Sequence, residues 1–407
     1  SFTVTNGSFA DGDTITLAGS GAITVNGLVA DLSAATATGA ITINAVDDVA
    51  ITTGSGATTI SAITGKTATV NAEALVDGTL LSTSGAGSYT ISNLLGNLTN
   101  SATGTVALTL DGNDGAGAFN TTITNNAGSG SFTVTNGTFD GADSITLAGS
   151  GAITVNDLVA DLSAATATGA ITINAVDDVA ITTGTGATTI SEASGKTATV
   201  NTAAIADDIT LTTAGAGGFS ISGLKGDLNN SASGAVSVTL ADNAGGTYSV
   251  TSSTAITVAN GTAADGDTIT LAGAGNKTVT ALVADLSLAA TNTGTTSVTT
   301  GNASLSITAD AAAGGLTVDA TALATDKSLT LAGGANGKSA TVNNLVADLA
   351  ASTLASVLTV DLADASDGTI GITTGTYTTT INDSAAGDTI TVNAAAIADD
   401  ITLTTAA

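Results

Sequence analysis

Aspartate recurs in this chain where a β-like run is about to begin. The phrases are Asp11-Gly12-Asp13-Thr14-Ile15, Asp265-Gly266-Asp267-Thr268-Ile269, Gly141-Ala142-Asp143-Ser144-Ile145 and Gly387-Asp388-Thr389-Ile390. Paired acids stand at Asp47-Asp48, Asp177-Asp178, Asp207-Asp208 and Asp399-Asp400, and the densest cluster is Asp111-Gly112-Asn113-Asp114-Gly115. Two hard carboxylates beside backbone carbonyls in a glycine turn suit Ca²⁺. The same residues are good turn formers, because a short acidic side chain bonds nearby backbone N–H groups. These aspartates are therefore candidate calcium ligands and candidate turn staples at once.

Other chemistry is narrowly bounded. Of 34 acidic residues only Glu73 and Glu192 are glutamate, and the formal charge is −28. Such a charge argues against nucleic acid, whose phosphates require basic residues, and against anionic membrane surfaces. His and Cys are absent and the six basic residues are all lysine, so no Ser-His or Cys-His pairing exists. Paired carboxylates could cleave glycosides, but the arginines and rings that hold sugars are nearly missing, so no enzyme is expected. Gly65-Lys66-Thr67, Gly195-Lys196-Thr197 and Gly337-Lys338-Ser339 lack the earlier glycine of a phosphate loop, having Ile60, Ile190 and Ala332 there. Thr-x-Thr pairs such as Thr3/Thr5, Thr14/Thr16, Thr210/Thr212, Thr268/Thr270 and Thr389/Thr391 would suit an ice-binding array only at one fixed place in every coil. They look scattered, which points to β-propensity. Triplets such as Asn6-Gly7-Ser8 and Asn260-Gly261-Thr262 are expected by chance in an Asn- and Thr-rich chain.

The elements that must carry these turns repeat. Leu-Val-Ala-Asp-Leu stands at Leu28 to Leu32, Leu158 to Leu162, Leu282 to Leu286 and Leu345 to Leu349, with looser copies at Leu94 to Leu98 and Leu224 to Leu228. The six first leucines are 66, 64, 66, 58 and 63 residues apart. Residues 1–71 and 131–201 are near duplicates at an offset of 130. The organisation reads as a doublet part at 1–71, a linking repeat at 72–130, the near copy at 131–201, a second linking repeat at 202–254 and diverged repeats over 255–407, in one continuous elongated array. Runs such as Thr14-Ile15-Thr16-Leu17 and Ile41-Thr42-Ile43 alternate with period two, and Gly, Asn and Asp punctuate them too closely for helical crossovers.

The chain is thus expected to be all-β. With 2% aromatics and no Trp, its core should be thin and aliphatic, which favours a parallel β-helix or β-solenoid with about three coils per unit. The alternative is a string of small antiparallel β-domains. The Leu-Val-Ala-Asp-Leu phrase reads either as a short helix behind Asn26 or as a strand with Leu28, Ala30 and Leu32 on one face. Val29 is replaced by Leu95 or Lys225 and Asp31 by Asn97, so the flanking leucines, not the acid, are what the phrase keeps; it reads as a plug that sets the register between units.

Gly141-x-Asp143-x-Ile145 and the Asp11-x-Asp13-x-Ile15 variants resemble degenerate halves of the calcium-binding nonapeptide of RTX proteins. The overall composition is similar to bacterial RTX-type surface-layer proteins and giant repeat adhesins, although the tandem nonapeptide array is absent. The resemblance implies an exported cell-surface protein and a Ca²⁺ cofactor. The expected function is a structural component of an extracellular surface layer, sheath or filament that assembles with itself; the alternative is the stalk of a large calcium-dependent adhesin. Cell-surface polysaccharide is a further expected partner, and no apolar run long enough for membrane insertion appears. The lack of Met suggests a processed piece of a longer protein.

Overall fold

The computed structural model describes residues 1–112, 118–364, 368–383 and 389–406. Among these, every regular element is a strand and the strands pair in parallel, so the protein is a β-solenoid and not a string of antiparallel domains. The chain forms two compact units, Ser1–Ala204 and Ile205–Ala407.

In the first unit, strands alternate between two sheets. Phe2–Thr5 pairs with Ile23–Leu28, which pairs with Ile41–Ala45; Thr14–Gly19 pairs with Asp31–Ala37, which pairs with Val49–Thr52. Each coil therefore contributes one strand to the first sheet and one to the second. The second unit repeats the arrangement from Thr210–Gly215 to Leu403–Ala406. Alternation explains the burial: in Ile41–Ala45 the side chains of Ile41, Ile43 and Ala45 are buried while Thr42 and Asn44 are exposed. Inward β-branched and aliphatic residues fill a thin core, with Tyr89, Tyr248 and Phe219 as its largest buried members.

The Leu-Val-Ala-Asp-Leu phrase is neither a helix nor one continuous strand. In all six copies the first Leu closes one strand and the Asp or Asn opens the next, as in Ile23–Leu28 followed by Asp31–Ala37 and Ser88–Leu94 followed by Asn97–Asn100. A two-residue corner thus carries the chain from one sheet to the other. Leu28, Ala30 and Leu32 all point inward, at 0%, 0% and 2% exposure.

The residue before the phrase has a left-handed φ in every copy: Gly27 at 65°, Asn93 at 58°, Asp157 at 55°, Gly223 at 75°, Ala281 at 55° and Asn344 at 59°. The strand register shifts at the same place each time. This β-bulge re-aims the chain into the corner. Gly, Asn and Asp tolerate that φ, whereas Ala281 is strained. Ala281→Gly should raise the urea midpoint by an amount equivalent to about 0.5 kcal/mol, the strain relief exceeding glycine's entropic cost, and Ala281→Val should lower it by about 1–2 kcal/mol. Equal midpoints for all three proteins would remove the strain from the account.

Coil length varies from 17 residues (Leu81 to Leu98) to 26 (Leu108 to Val134). Hence positions that look scattered in sequence align in space. Thr3, Thr24, Thr42, Thr59, Ser82, Thr99 and Thr124 occupy one register on successive strands of the first sheet. In the second unit one register runs Ser220, Ser237, Thr257, Thr278, Ser297, Thr317, Thr341, Thr359, Thr380 and Thr404. A single hydroxyl position thus aligns in space, whereas the Thr-x-Thr pairs do not: Thr14/Thr16 lie beside Asp31/Ser33 and Thr210/Thr212 beside Asp227/Asn229.

The near duplicates differ in placement. Phe2–Thr5 lies in the first sheet, but its counterpart Phe132–Thr135, thirteen strands on, lies in the second. The 130-residue offset is six and a half coils.

Two buried polar ladders interrupt the aliphatic core. In the first unit Thr83 Oγ1 donates to Asn100 Oδ1 (2.7 Å), Asn100 Nδ2 to Asn125 Oδ1 (2.9 Å) and Asn125 Nδ2 to the Ala152 carbonyl (2.9 Å). In the second, Asn230 Nδ2 donates to Ser252 Oγ at 2.8 Å. Each ladder ties successive coils through satisfied amides.

Candidate functional site

The acidic turns divide by what their oxygens do. In the turns that end in Asp13, Asp143 and Asp267 that last acid is a staple. Asp13 Oδ2 accepts the Ala10 N–H at 2.9 Å and Asp143 Oδ2 the Asp140 N–H at 2.8 Å. Asp143, 5% exposed, also accepts the Phe119 N–H at 2.8 Å. Asp267 is fully buried: Oδ1 accepts the Gly245 N–H (2.8 Å), and Oδ2 accepts the Ala264 N–H (2.8 Å) and the Tyr248 hydroxyl (3.2 Å). Burial and the neighbouring Asp267 charge push the Tyr248 phenol above its ordinary range. Asp11 and Asp265 remain exposed on the turn tips.

The paired acids are corner fittings. Asp48 Oδ1 accepts the Thr67 N–H of the next coil at 2.7 Å, and Asp178 accepts the Thr197 N–H at 2.7 Å. Lys66 bridges Asp47 and lies 3.5 Å from Asp48; Lys196 does the same for Asp177, 3.9 Å from Asp178. The lysine hydrogen bonds hold the Asp47 and Asp177 carboxyls below their usual range. Two of the three lysines of the phosphate-loop-like triplets, Lys66 and Lys196, are thus occupied by carboxylates, while Lys338 donates to the Ala312 carbonyl at 3.5 Å. Asp207 accepts the Asp208 N–H at 3.1 Å, and Asp208 and Asp400 take left-handed φ values of 62° and 64° in exposed turns beside Asp207 and Asp399. Asp111 accepts the Thr138 hydroxyl at 2.6 Å. Asp114 and Asp388 lie outside the described residues.

Among the described residues, no three acidic side chains converge on a point that could hold a metal ion. The buried turn carboxylates of Asp143 and Asp267 already face N–H donors, the opposite of an oxygen cage waiting for Ca²⁺.

One set of functional acids escaped the sequence reading. The Asp of the corner phrase, taken there as dispensable, is used in every copy. Asp31, Asp161, Asp227 and Asp285 accept the N–H of Ala50, Ala180, Ser249 and Ser306 at 2.8 Å, and Asp348 that of Gly371 at 2.7 Å. Asn97, the departure from the pattern, accepts the Thr122 N–H at 2.8 Å. What persists is an Oδ1 acceptor, which Asp and Asn share; that shared oxygen was the available signal. The preceding coil also grips the corner, for Asn6, Asn136 and Asn260 accept the N–H of Val29 (3.2 Å), Val159 (3.1 Å) and Val283 (3.0 Å). Asp31→Asn should leave the urea midpoint unchanged within about 0.5 kcal/mol, while Asp31→Ala should cost about 1 kcal/mol. Equal loss in both would show that charge, not the acceptor, matters.

Three buried ionisable groups are not among these turn acids. Glu192, 1% exposed, accepts the Ala193 N–H at 3.0 Å through Oε1, while Oε2 has no partner among the described residues. Burial first, then the charges of Asp178 and Asp177, push its carboxyl up to about 7. In the near copy Ala62 holds that position. Lys277, 1% exposed, donates to the carbonyls of Ser252 (3.1 Å), Gly273 (3.1 Å) and Gly275, and burial lowers it to about 8. The Tyr89 hydroxyl donates to Ser84 (2.6 Å) and Ile60 (3.0 Å) carbonyls and is pushed up to about 12 by burial. Tyr89 and Lys277 stand at the same place, five residues before the corner leucine, so the carbonyls there accept either donor.

No protein-family model, curated protein or solved structure matches the chain.

Proposed function

We propose that this chain is a non-enzymatic structural element of an extracellular layer, sheath or filament, built to assemble with copies of itself. The observation that carries the reading is the use of its polar side chains: corner, turn and ladder groups are spent on joining one coil to the next. Outside those joints the sheets present repeated, nearly equivalent surfaces, and contacts between repeated surfaces generate extended assemblies. Electron microscopy of the purified chain across salt concentrations tests this. Ordered lattices or filaments are expected; dispersed particles under every condition would favour an adhesin stalk.

Calcium enters this reading as a surface ion. Exposed acids such as Asp11, Asp207 and Asp265 contribute to the self-repulsion of a −28 chain, which a divalent ion would relieve while bridging copies. About 5 mM Ca²⁺ should raise the melting midpoint by about 3 °C over NaCl of equal ionic strength, and EGTA should reverse it. A midpoint indifferent to both removes calcium from the proposal.

A further inference from the structure

We infer that the outer face of the first sheet of the first unit is the surface on which a second copy of this chain docks. This rests on the self-assembly reading and names the contact within it. Eight successive strands of that sheet, from Phe2–Thr5 to Ser144–Gly149, contain no Asp, Glu or Lys. The chain nevertheless carries 34 acidic residues, most of them placed at corners and turns. Two molecules of charge −28 repel wherever their carboxylates meet, so a neutral face is where they can approach closely.

The second observation is apolar. Leu80 projects outward from the fifth strand of this sheet with 40% exposure, and Val46 (37%) and Ile63 (48%) stand just past the ends of its third and fourth strands. Leu80 opens its strand and so gives the face an apolar residue at one edge, and Val46 and Ile63 give it an apolar border at the other. The hydroxyl register from Thr3 to Thr124 repeats with the sheet's own strand spacing, so a second copy presents the same spacing and matches it over the full length.

Size agrees. Eight strands at about 4.8 Å and about five residues at 3.3 Å give a face of roughly 600 Å² per copy. The total of about 1,200 Å² clears the roughly 1,000 Å² of a specific interface. A polysaccharide would need stacking rings or arginines, which the face lacks. The contact is isologous: the same face on both copies, related by a two-fold axis. The pair is then the building block of any larger assembly.

The test is the mass of the full-length chain in solution, by light scattering after size exclusion, at low and at physiological salt. Wild type should be dimeric or larger, more so as salt screens the remaining charge. Thr42→Asp combined with Thr59→Asp should give monomers at concentrations at least tenfold above the wild-type dissociation point. Thr42→Ser with Thr59→Ser should behave as wild type, and so should Thr172→Asp with Thr189→Asp on the second sheet. Unchanged far-ultraviolet dichroism and melting confirm that each variant is folded. Association by the Thr42/Thr59 aspartate variant at wild-type strength overturns this contact and leaves self-assembly standing. A wild type that stays monomeric at every salt concentration overturns both. A monomeric wild type that partitions into growing ice, and loses this with the same aspartates, would assign the face to ordered water instead.

Discussion

Asp267→Ala should destabilise the second unit by about 4 kcal/mol, the largest loss expected of any acidic side chain here. The carboxylate is fully buried and takes three donors, from Gly245, Ala264 and Tyr248. Alanine would leave three buried donors without acceptors, each costing about 1–3 kcal/mol before relaxation. Asp267→Asn should cost about 2 kcal/mol, since one oxygen becomes an amide that faces an N–H donor. The contrast with Asp31→Asn is the point: the corner needs one acceptor and the staple needs two. Urea midpoints of the three variants measure it, and an Asp267→Asn protein as stable as the wild type would show that the second oxygen is idle.

Glu192→Ala should stabilise the protein at alkaline pH and not at acid pH. The folded carboxyl is raised to about 7 against an ordinary 4.5. Below pH 4.5 both folded and unfolded forms hold the proton and Glu192 costs nothing through ionisation. Between 4.5 and 7 the unfolded state releases its proton first, so stability falls as pH rises, and above 7 the loss is complete. At pH 8 the variant should gain about 2–3 kcal/mol on the wild type relative to their difference at pH 4. The void left by the shorter side chain is independent of pH, so the change in the difference isolates ionisation. Parallel stability curves for the two proteins would place the carboxyl in water.

The fold class was legible because period-two runs such as Ile41-Thr42-Ile43 allow only strands, and because turns this short cannot hold crossover helices. The corner phrase was ambiguous for a physical reason: its five residues span the end of one strand, a bend and the start of another. No single periodicity describes Leu28 to Leu32. Reading Asp31 as dispensable compared residue names, when the retained property was an oxygen at Oδ1. The single hydroxyl register from Thr3 to Thr124 was hidden because coils differ in length by up to nine residues, so equal sequence spacing and equal spatial register are different things. Asp143 and Asp267 were read as candidate calcium ligands, whereas each holds its own turn and also reaches a backbone N–H of the neighbouring coil, which no local motif reveals. Glu192 carried a sequence signal that went unused: a glutamate where the near copy has Ala62.

The six-and-a-half-coil offset between the duplicates gives the repeats a parity. From Leu28 to Leu94 the chain makes seven strands, and from Leu94 to Leu158 six. Recombination that removes the 64 residues between the latter pair would leave every following strand of the unit in its own sheet. Removing the 66 between the former would exchange the sheets for all that follow, although inward residues stay inward and the core is unchanged. Both products should fold alike while displaying different sides to the outside, so a two-residue difference in repeat length acts on the exterior of the protein and leaves its interior alone.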